Sequence, residues 1–460
     1  MKNIHLVGIG GIGMSGIAEI MNNLGYSITG SDQEDNSNVR RLKAKGIKIF
    51  LGHNSDNISG ASLVVYSSAI PNDNCELISA RELNVPIIGR SDMLRELMRM
   101  KQTISVSGSH GKTTTVSIIA EILDQAGLDP TVINGGIINS YGSNTKLGSG
   151  DLMLVETDES DGSFSFLPSF SGVITSIDNE HVDYYGSYNK LLDSFRSYCN
   201  NISPFGFLAV SEKDKNIKDL IKNIHSLNIF KYGFSDDCDV RGEIIRKDRN
   251  GTFFNVVIKE KEEQEIHIKN IYFPMLGEHN IENALAAITV AYNFKIHDKI
   301  IKKALESFGG VDRRLSKIYE NNDIIFYDDY AHHPTEIQET IRALKSNNGR
   351  LICVLQPHRY SRLRDTYKEY CNSLHGADIT MVLPIYEAGE AMIDGIRGDI
   401  LVSDILKNGY SGAIYVDSFS EVKERILDIL RPHDTVVFMG AGSISSWCNI
   451  FSEEMKLKNL

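Results

Sequence analysis

Cysteine is sparse and unordered in this chain. The six thiols (Cys75, Cys199, Cys238, Cys353, Cys371, Cys448) form no CxxC pair, which excludes a disulfide framework and a thiolate zinc site and fits a reducing compartment. Long apolar runs are missing as well. None approaches the ~18 uncharged residues that a membrane helix needs, so no stable membrane insertion is expected. Met1 leads almost directly into the apolar Ile4–Ile9 without a charged leader or cleavage site; this pattern predicts a cytoplasmic protein. Basic tracts are also absent. The formal charge is −12, which leaves little counterion-release drive toward nucleic acid or anionic lipid.

What is present is length and a repeated turn. At ~150 residues per domain, 460 residues predict about three domains, each able to bury its own core. Three times a short apolar run meets a glycine-rich turn. Asn3–Val7 precedes Gly8-Ile9-Gly10-Gly11-Ile12-Gly13, Thr103–Val106 precedes Gly108-Ser109-His110-Gly111-Lys112-Thr113, and Asp434–Met439 precedes Gly440-Ala441-Gly442-Ser443. Strand, tight turn and helical pattern in that order predict an α/β protein with helix-covered parallel sheets. Breaks near residues 100 and 311 divide the chain into 1–100, 101–311 and 312–460.

The first turn, Gly8-x-Gly10-x-x-Gly13 with Asp32 nineteen residues on, fits a dinucleotide fingerprint. Its glycines admit backbone N–H groups to a diphosphate, and an acid can accept from a ribose hydroxyl. A nicotinamide or flavin, another diphosphate nucleotide such as a nucleotide sugar, and a turn needed only for packing all remain open at this point. The second turn is more specific. It has two residues, not four, between its first glycine and Gly111-Lys112, yet keeps the P-loop logic. Amides cradle phosphates, Lys112 neutralises the β/γ oxygens and the Thr113 hydroxyl can reach Mg²⁺. Thr113-Thr114-Thr115 opens a helix with mediocre helix formers, which packing alone does not explain.

Acids and histidines follow at strand ends. Glu156-Thr157-Asp158-Glu159-Ser160-Asp161 closes one strand, where Glu156 is positioned as a metal-binding acid. Asp158 and Glu159 read as solvated loop residues. Asp178-Asn179-Glu180-His181 closes the next.

The blocks GIGGIGMSGIAE, GSHGKTTT, ETDESDGSF, NEHVDYYG, GEHNIENALAAI, DDYAHHPTEI and QPHRYSRLRD, in this order from residue 8 to about 365, resemble the Mur ligases of peptidoglycan synthesis. Six of the thirteen histidines fall within them. The resemblance implies a Rossmann-like N-terminal domain for a UDP-sugar, a P-loop central ATPase domain and a Rossmann-like C-terminal domain for the amino acid. It implies that Gly10, Gly11, Ser31, Asp32 and Ser68 line the UDP-sugar site. Gly108, Ser109, His110, Gly111, Lys112, Thr113 and Thr114 would hold the ATP phosphates. Thr113 and Glu156 would bind Mg²⁺ or Mn²⁺, and His181 a second metal position. His279, Asn280 and Asn283 would contact adenine, and Asp329 the ATP ribose or phosphates. Arg313, His332, His333, Arg359 and Arg362 would close over the γ-phosphate, the sugar carboxylate and the amino acid. Two positions depart from the family pattern: Ser109 stands where Thr is usual, and Leu315 follows Arg313-Arg314 where an aromatic is common.

The reaction implied is ATP-dependent ligation of L-alanine to the lactyl carboxylate of UDP-N-acetylmuramic acid through an acyl phosphate. Charge neutralisation matters more for it than covalent catalysis. Either His332 or His333 would accept the amine proton or bind a carboxylate; the resemblance implies His333, with Lys112, Glu156, His181 and Arg313, as catalytic, and His332, Arg359 and Arg362 as binding the amino acid or carboxylate. The nearest rival is the recycling ligase that attaches a ready-made tripeptide to the same sugar, against which Gln356–Arg362 argues. A nucleotide-binding protein without catalysis is opposed by Lys112, Glu156 and His181, and an NAD-dependent oxidoreductase leaves the P-loop without a purpose.

Overall fold

The computed structural model describes residues 3–179, 182–260, 264–321, 323–345 and 349–458. The chain forms two compact units. One comprises Met1–Arg246, Phe253–Pro274 and Ile281–Gly309; the other comprises Lys247–Thr252, Met275–Asn280 and Gly310–Leu460.

The first unit carries two sheets. Its N-terminal sheet has five parallel strands in the order Lys48–Leu51, Ser27–Asp32, Asn3–Val7, Leu63–Tyr66, Ile87–Gly89. The order reverses between Asn3–Val7 and Leu63–Tyr66, and that crevice at the strands' carboxyl ends is where such sheets bind ligands. The glycine turn and Ser68 both follow these two strands. Alternation is weak because both faces are covered: Ile4, Leu6, Val7, Val64 and Val65 are all buried.

The second sheet has ten strands and is centred on Gln102–Ser107, which lies between Ser171–Ile174 and Leu152–Glu156 and is parallel to both. This adjacency brings the phosphate loop, Thr175-Ser176 and Glu156 to one edge. On the far side of Leu152–Glu156 runs Thr131–Ile138, parallel to it, whose pairing with Ser143–Lys146 is interrupted between Ile133 and Ile138. The interruption falls on Gly135-Gly136. One apolar cluster joins the N-terminal sheet to this one, running from Leu6, Ile17 and Met93 to Ile133, Met153, Val155 and Leu167. Each such buried side chain contributes ~1.5–3 kcal/mol. Residues 228–273 supply strands Asn228–Gly233, Val240–Lys247, Thr252–Lys259 and Glu265–Phe273 to the outer half of the sheet.

The other unit is built on six strands. An antiparallel edge, Ser316–Asn321, pairs with Ile324–Asp329, and Thr435–Met439, Leu351–Leu355, Ile379–Val382 and Ala413–Tyr415 follow in parallel. Apolar clusters fill both faces, one around Ile337, Leu355 and Leu401 and the other around Phe326, Phe438 and Phe451.

Candidate active site

The phosphate loop is shaped by two glycines at positive φ, where any other residue would be strained. Gly108 (φ 128°) presses so closely on Thr175 and Ser176 that a Cβ would lie 2.3 Å from the Thr175 hydroxyl. Gly111 (φ 80°) caps the helix Lys112–Gln125, and its missing Cβ would sit 2.4 Å from Asn283 Oδ1. Ser176 holds the loop in place, accepting from Ser109 N at 2.9 Å through its carbonyl and from His110 N at 3.0 Å through its hydroxyl. The Ser109 hydroxyl in turn accepts from Asp178 N at 2.9 Å, and His110 Nε2 lies 3.2 Å from Asp178 Oδ2. Thr175, Ser176 and Asp178 were not singled out from sequence; the only signal for them is the end of a strand adjacent to the loop.

Lys112 lies over the loop, donating to Gly108 O at 2.5 Å and to both Glu159 oxygens at 3.0 and 2.7 Å. Burial works against its charge, but Glu159, with Asp158 and Glu156 beyond it, outweighs burial and raises its pKa. Glu159 therefore departs from the sequence expectation. It is 1% exposed and ion-paired, not solvated. Asp158 is exposed as expected and caps Ser160.

Glu156 receives the Thr113 hydroxyl at 3.1 Å and the Gly135 amide at 2.7 Å. Any side chain at position 135 would collide with its carboxylate. Two adjoining oxygen donors at a phosphate loop fit a hard divalent cation. Thr114 is buried in the first helical turn. Asn283 accepts the Thr115 hydroxyl at 3.2 Å, which places it against the loop. His181, the second expected metal ligand, lies outside the described residues.

At the first glycine turn, Gly8 and Ile9 donate to Ser31 O, and Gly10 donates to Asp32 Oδ2 at 2.7 Å. Asp32 thus shapes the turn itself. Gly11, which is exposed, caps the helix Ile12–Asn23, where a Cβ would make only ordinary contacts with Gly8 O and Met14, and Ser68 is exposed. The Ser31 side chain points inward, donating to Glu76 Oε2 at 2.6 Å. Glu76 is fully buried and also meets His53 Nδ1 (3.1 Å), Asn57 (2.6 Å) and His5 Nε2 (3.8 Å). Burial pushes its carboxyl up, yet the His5, Ser31 and Asn57 contacts prevail and hold it down to about 2. Sequence reasoning missed this cluster, because a single glutamate at a helix start looks solvated.

The C-terminal unit gathers a second polar group. His333 caps the helix Pro334–Leu344, its Nδ1 accepting from Thr335 N at 3.4 Å while Glu336 returns to the His332 and His333 amides. His332 Nδ1 faces the Tyr330 carbonyl at 2.9 Å, and its ring meets that of His358 edge-on. Arg362 donates to His358 Nδ1 at 3.2 Å. Burial, then His332, Arg362 and Arg359, push His358 down to about 3 and keep it neutral. Arg359 is exposed, in a left-handed conformation that starts the helix Tyr360–Asp365. Arg313, also left-handed, donates to Gly440 O at 2.7 Å and stacks on Tyr330. Burial pushes Asp328 up to about 6 against the pull of Ser445 and Arg313, and raises Asp329, which accepts from Thr340 at 2.5 Å. His279 lies 3.8 Å from Glu339, and Asn280 donates to Leu276 O at 2.8 Å. The structure brings Arg313, Asp328, Asp329, His332 and His333 together at the carboxyl end of Ile324–Asp329.

Known proteins match this arrangement along the whole chain. Residues 3–102 match the catalytic domain of the Mur ligase family, 106–291 the Mur ligase middle domain and 313–442 the glutamate ligase domain of Mur ligases. A UDP-N-acetylmuramate–L-alanine ligase of Methylorubrum populi is 44% identical over 456 residues, spanning 98% of this chain and 97% of the relative. A solved UDP-N-acetylmuramate–alanine ligase of Thermotoga maritima shares the fold with a TM-score of 0.82 at 27% identity, covering 100% of both chains. A murein peptide ligase of Psychrobacter arcticus follows at TM-score 0.70 and 22% identity, covering 100% of this chain and 99% of its own. With three domains in sequence, a phosphate loop carrying Lys112, Thr113 and Glu156, and relatives aligned end to end, the chain belongs to the Mur ligase family.

Proposed function

We propose that this chain is the cytoplasmic ligase that joins L-alanine to UDP-N-acetylmuramic acid with ATP, giving UDP-N-acetylmuramoyl-L-alanine, ADP and phosphate. The observation that carries this reading is the 44% identity across 98% of the chain to a ligase of that name, taken with the assembled Lys112–Thr113–Glu156 site. The domains divide the work as 1–100 for the UDP-sugar, 101–311 for ATP and 312–460 for the amino acid. Gly10 and Gly11 line the diphosphate position at the N-terminus of the helix Ile12–Asn23, with Asp32, the Ser31 backbone and Ser68 beside them.

In the first step a lactyl carboxylate oxygen attacks the γ-phosphorus of ATP, the bond to the β-bridging oxygen breaks, and ADP leaves. Lys112 supplies positive charge where negative charge gathers, exchanging Glu159 for phosphate oxygens, while Gly108, Ser109, His110, Gly111 and Thr114 shape the cradle. Thr113 and Glu156, with His181, would hold Mg²⁺ or Mn²⁺, which when bound neutralises phosphate charge. His279, Asn280 and Asn283 serve the adenine and Asp329 the ribose or phosphates.

In the second step the alanine amine attacks the acyl carbonyl, the C–O bond breaks and phosphate leaves. Arg313, Arg359 and Arg362 meet the carboxylate and phosphate charges. The amine must first lose a proton. His333 uses Nδ1 as an acceptor, so its neutral ring carries hydrogen on Nε2. His332 donates from Nδ1 to a carbonyl, so its neutral ring has a basic Nε2. We assign proton acceptance to His332 and carboxylate binding to His333, the reverse of the division expected from sequence.

Phosphate release with each substrate omitted in turn tests the function. It should require ATP, UDP-N-acetylmuramic acid and L-alanine together; release supported by tripeptide but not alanine would replace the reading with the recycling reaction.

A further inference from the structure

One chain of buried polar side chains in the first unit is unexplained by either nucleotide site alone. It begins at Ile12, the first residue of the helix that Gly11 caps. Asn144, on Ser143–Lys146, donates from Nδ2 to Ile12 O at 3.1 Å and accepts Arg41 Nη2 at 3.1 Å. The same Nδ2 reaches Asn134 O at 3.3 Å. Asn134 Nδ2 donates to Ser117 Oγ at 3.0 Å, and Ser117 Oγ donates to Thr113 O at 2.7 Å. The three relay residues are 2%, 2% and 0% exposed. Polar atoms so deeply buried are costly unless satisfied; the donors of Asn144, Asn134 and Ser117 are each matched along this path, and only Asn134 Oδ1 among the relay's side-chain atoms lacks a partner.

Two features stiffen this path. Gly16 brings the first-domain helix onto Ser143–Lys146 so closely that a Cβ would lie 2.4 Å from Thr145 Cγ2. Asn134 is followed by Gly135, whose amide holds Glu156. The interrupted strand Thr131–Ile138 therefore touches both oxygen donors of the phosphate loop, Thr113 through Ser117 and Glu156 directly.

We propose that Asn144, Asn134 and Ser117 are positioning residues that couple occupation of the first glycine turn to the placement of Thr113 in the phosphate loop. A diphosphate drawn to the N-terminus of the helix that Gly11 caps fixes the helix start at Ile12. The relay passes that constraint to the Thr113 carbonyl, so the second nucleotide meets a loop already ordered. A merely local role, in which Ser117 bonds back to its own helix and Asn144 closes a strand end, affects stability without linking the two ligands.

This inference rests on the function proposed above, and one experiment separates the two. Calorimetry measures binding of a non-hydrolysable ATP analogue with and without saturating UDP-N-acetylmuramic acid, in wild type, Ser117→Ala, Asn144→Ala and the double variant, with melting curves confirming folding. Wild type should bind the analogue ~5-fold or more tightly with the sugar nucleotide present. Ser117→Ala, which removes only a hydroxyl, should bring the ratio close to one while leaving sugar-nucleotide affinity unchanged, and the double variant should lower it no further. Binding of both ligands with no coupling in wild type, or with the ratio intact in Ser117→Ala, overturns the relay alone. Binding of the analogue without any binding of the sugar nucleotide overturns the substrate reading and the relay with it.

Discussion

Lys112 and the buried Glu159 form an ion pair that, on the function proposed, phosphate binding must rearrange. Removing Lys112 takes its cation from the buried Glu159 carboxylate, which costs up to about 3–5 kcal/mol. Lys112→Ala should therefore lower the melting temperature and abolish turnover together. Adding Glu159→Gln should recover much of the stability and none of the activity, as thermal melts and phosphate release would show; recovery of turnover would remove Lys112 from the mechanism. At Glu76 the sign of a pH effect is fixed by its contacts. Its folded carboxyl titrates at about 2 against an ordinary 4.5, so the unfolded chain takes up the proton first. The stabilisation, about 3 kcal/mol, is complete above pH 4.5 and is lost as pH falls through that value toward 2. Glu76→Gln should be less stable at pH 7 and flatter across that acid window in denaturant titrations. The histidine assignment is also a residue-scale claim. His332→Gln should lower kcat at saturating alanine and erase the acidic limb of the kcat profile. His333→Gln should raise KM for alanine and keep that limb; the reverse pattern would exchange their roles. Lys112, Thr113 and the histidine pair were legible because their chemistry is unusual at a strand or helix end. Glu76 and Glu159 were not, because only the surrounding fold decides whether a lone carboxylate meets water or a buried cation.

Strands that end in glycine turns are the elements that carry the site, and these were the easiest to read. Asn3–Val7 and Thr435–Met439 coincide with the apolar runs seen in sequence, because strands covered on both faces are written as continuous hydrophobic stretches. Ser27–Asp32, Thr131–Ile138 and Asn228–Gly233 escaped notice. They hold glycine or polar residues whose place in the sheet is set by neighbouring strands instead of by their own pattern. The double glycine in Thr131–Ile138 would by itself suggest a turn, whereas here it opens room for the Glu156 carboxylate. The phosphate loop makes the sharpest prediction at this scale. Gly111→Ala forces a side chain into left-handed backbone, at ~1–2 kcal/mol, and drives a methyl group into Asn283. Affinity for ATP should fall about 10-fold or more, while sugar-nucleotide affinity is unaffected. Unchanged ATP affinity in a calorimetric titration would mean that this loop does not hold the phosphates.

At the scale of the molecule, three sheets each gather candidate site residues at their strands' carboxyl ends, two of them joined by a common core. No helix among the described residues is long and apolar enough to cross a membrane. The chemistry that unites these parts is transfer of one oxygen atom: the attacking lactyl carboxylate oxygen becomes part of the phosphate when the amide forms. The most direct measurement supplies UDP-N-acetylmuramic acid labelled with ¹⁸O in that carboxylate, together with ATP and L-alanine, and reads both products by mass spectrometry. The account predicts a sugar nucleotide extended by one alanyl residue and phosphate carrying one labelled oxygen. An alanyl product with unlabelled phosphate would contradict the acyl phosphate, and no alanyl product at all would contradict the assigned function.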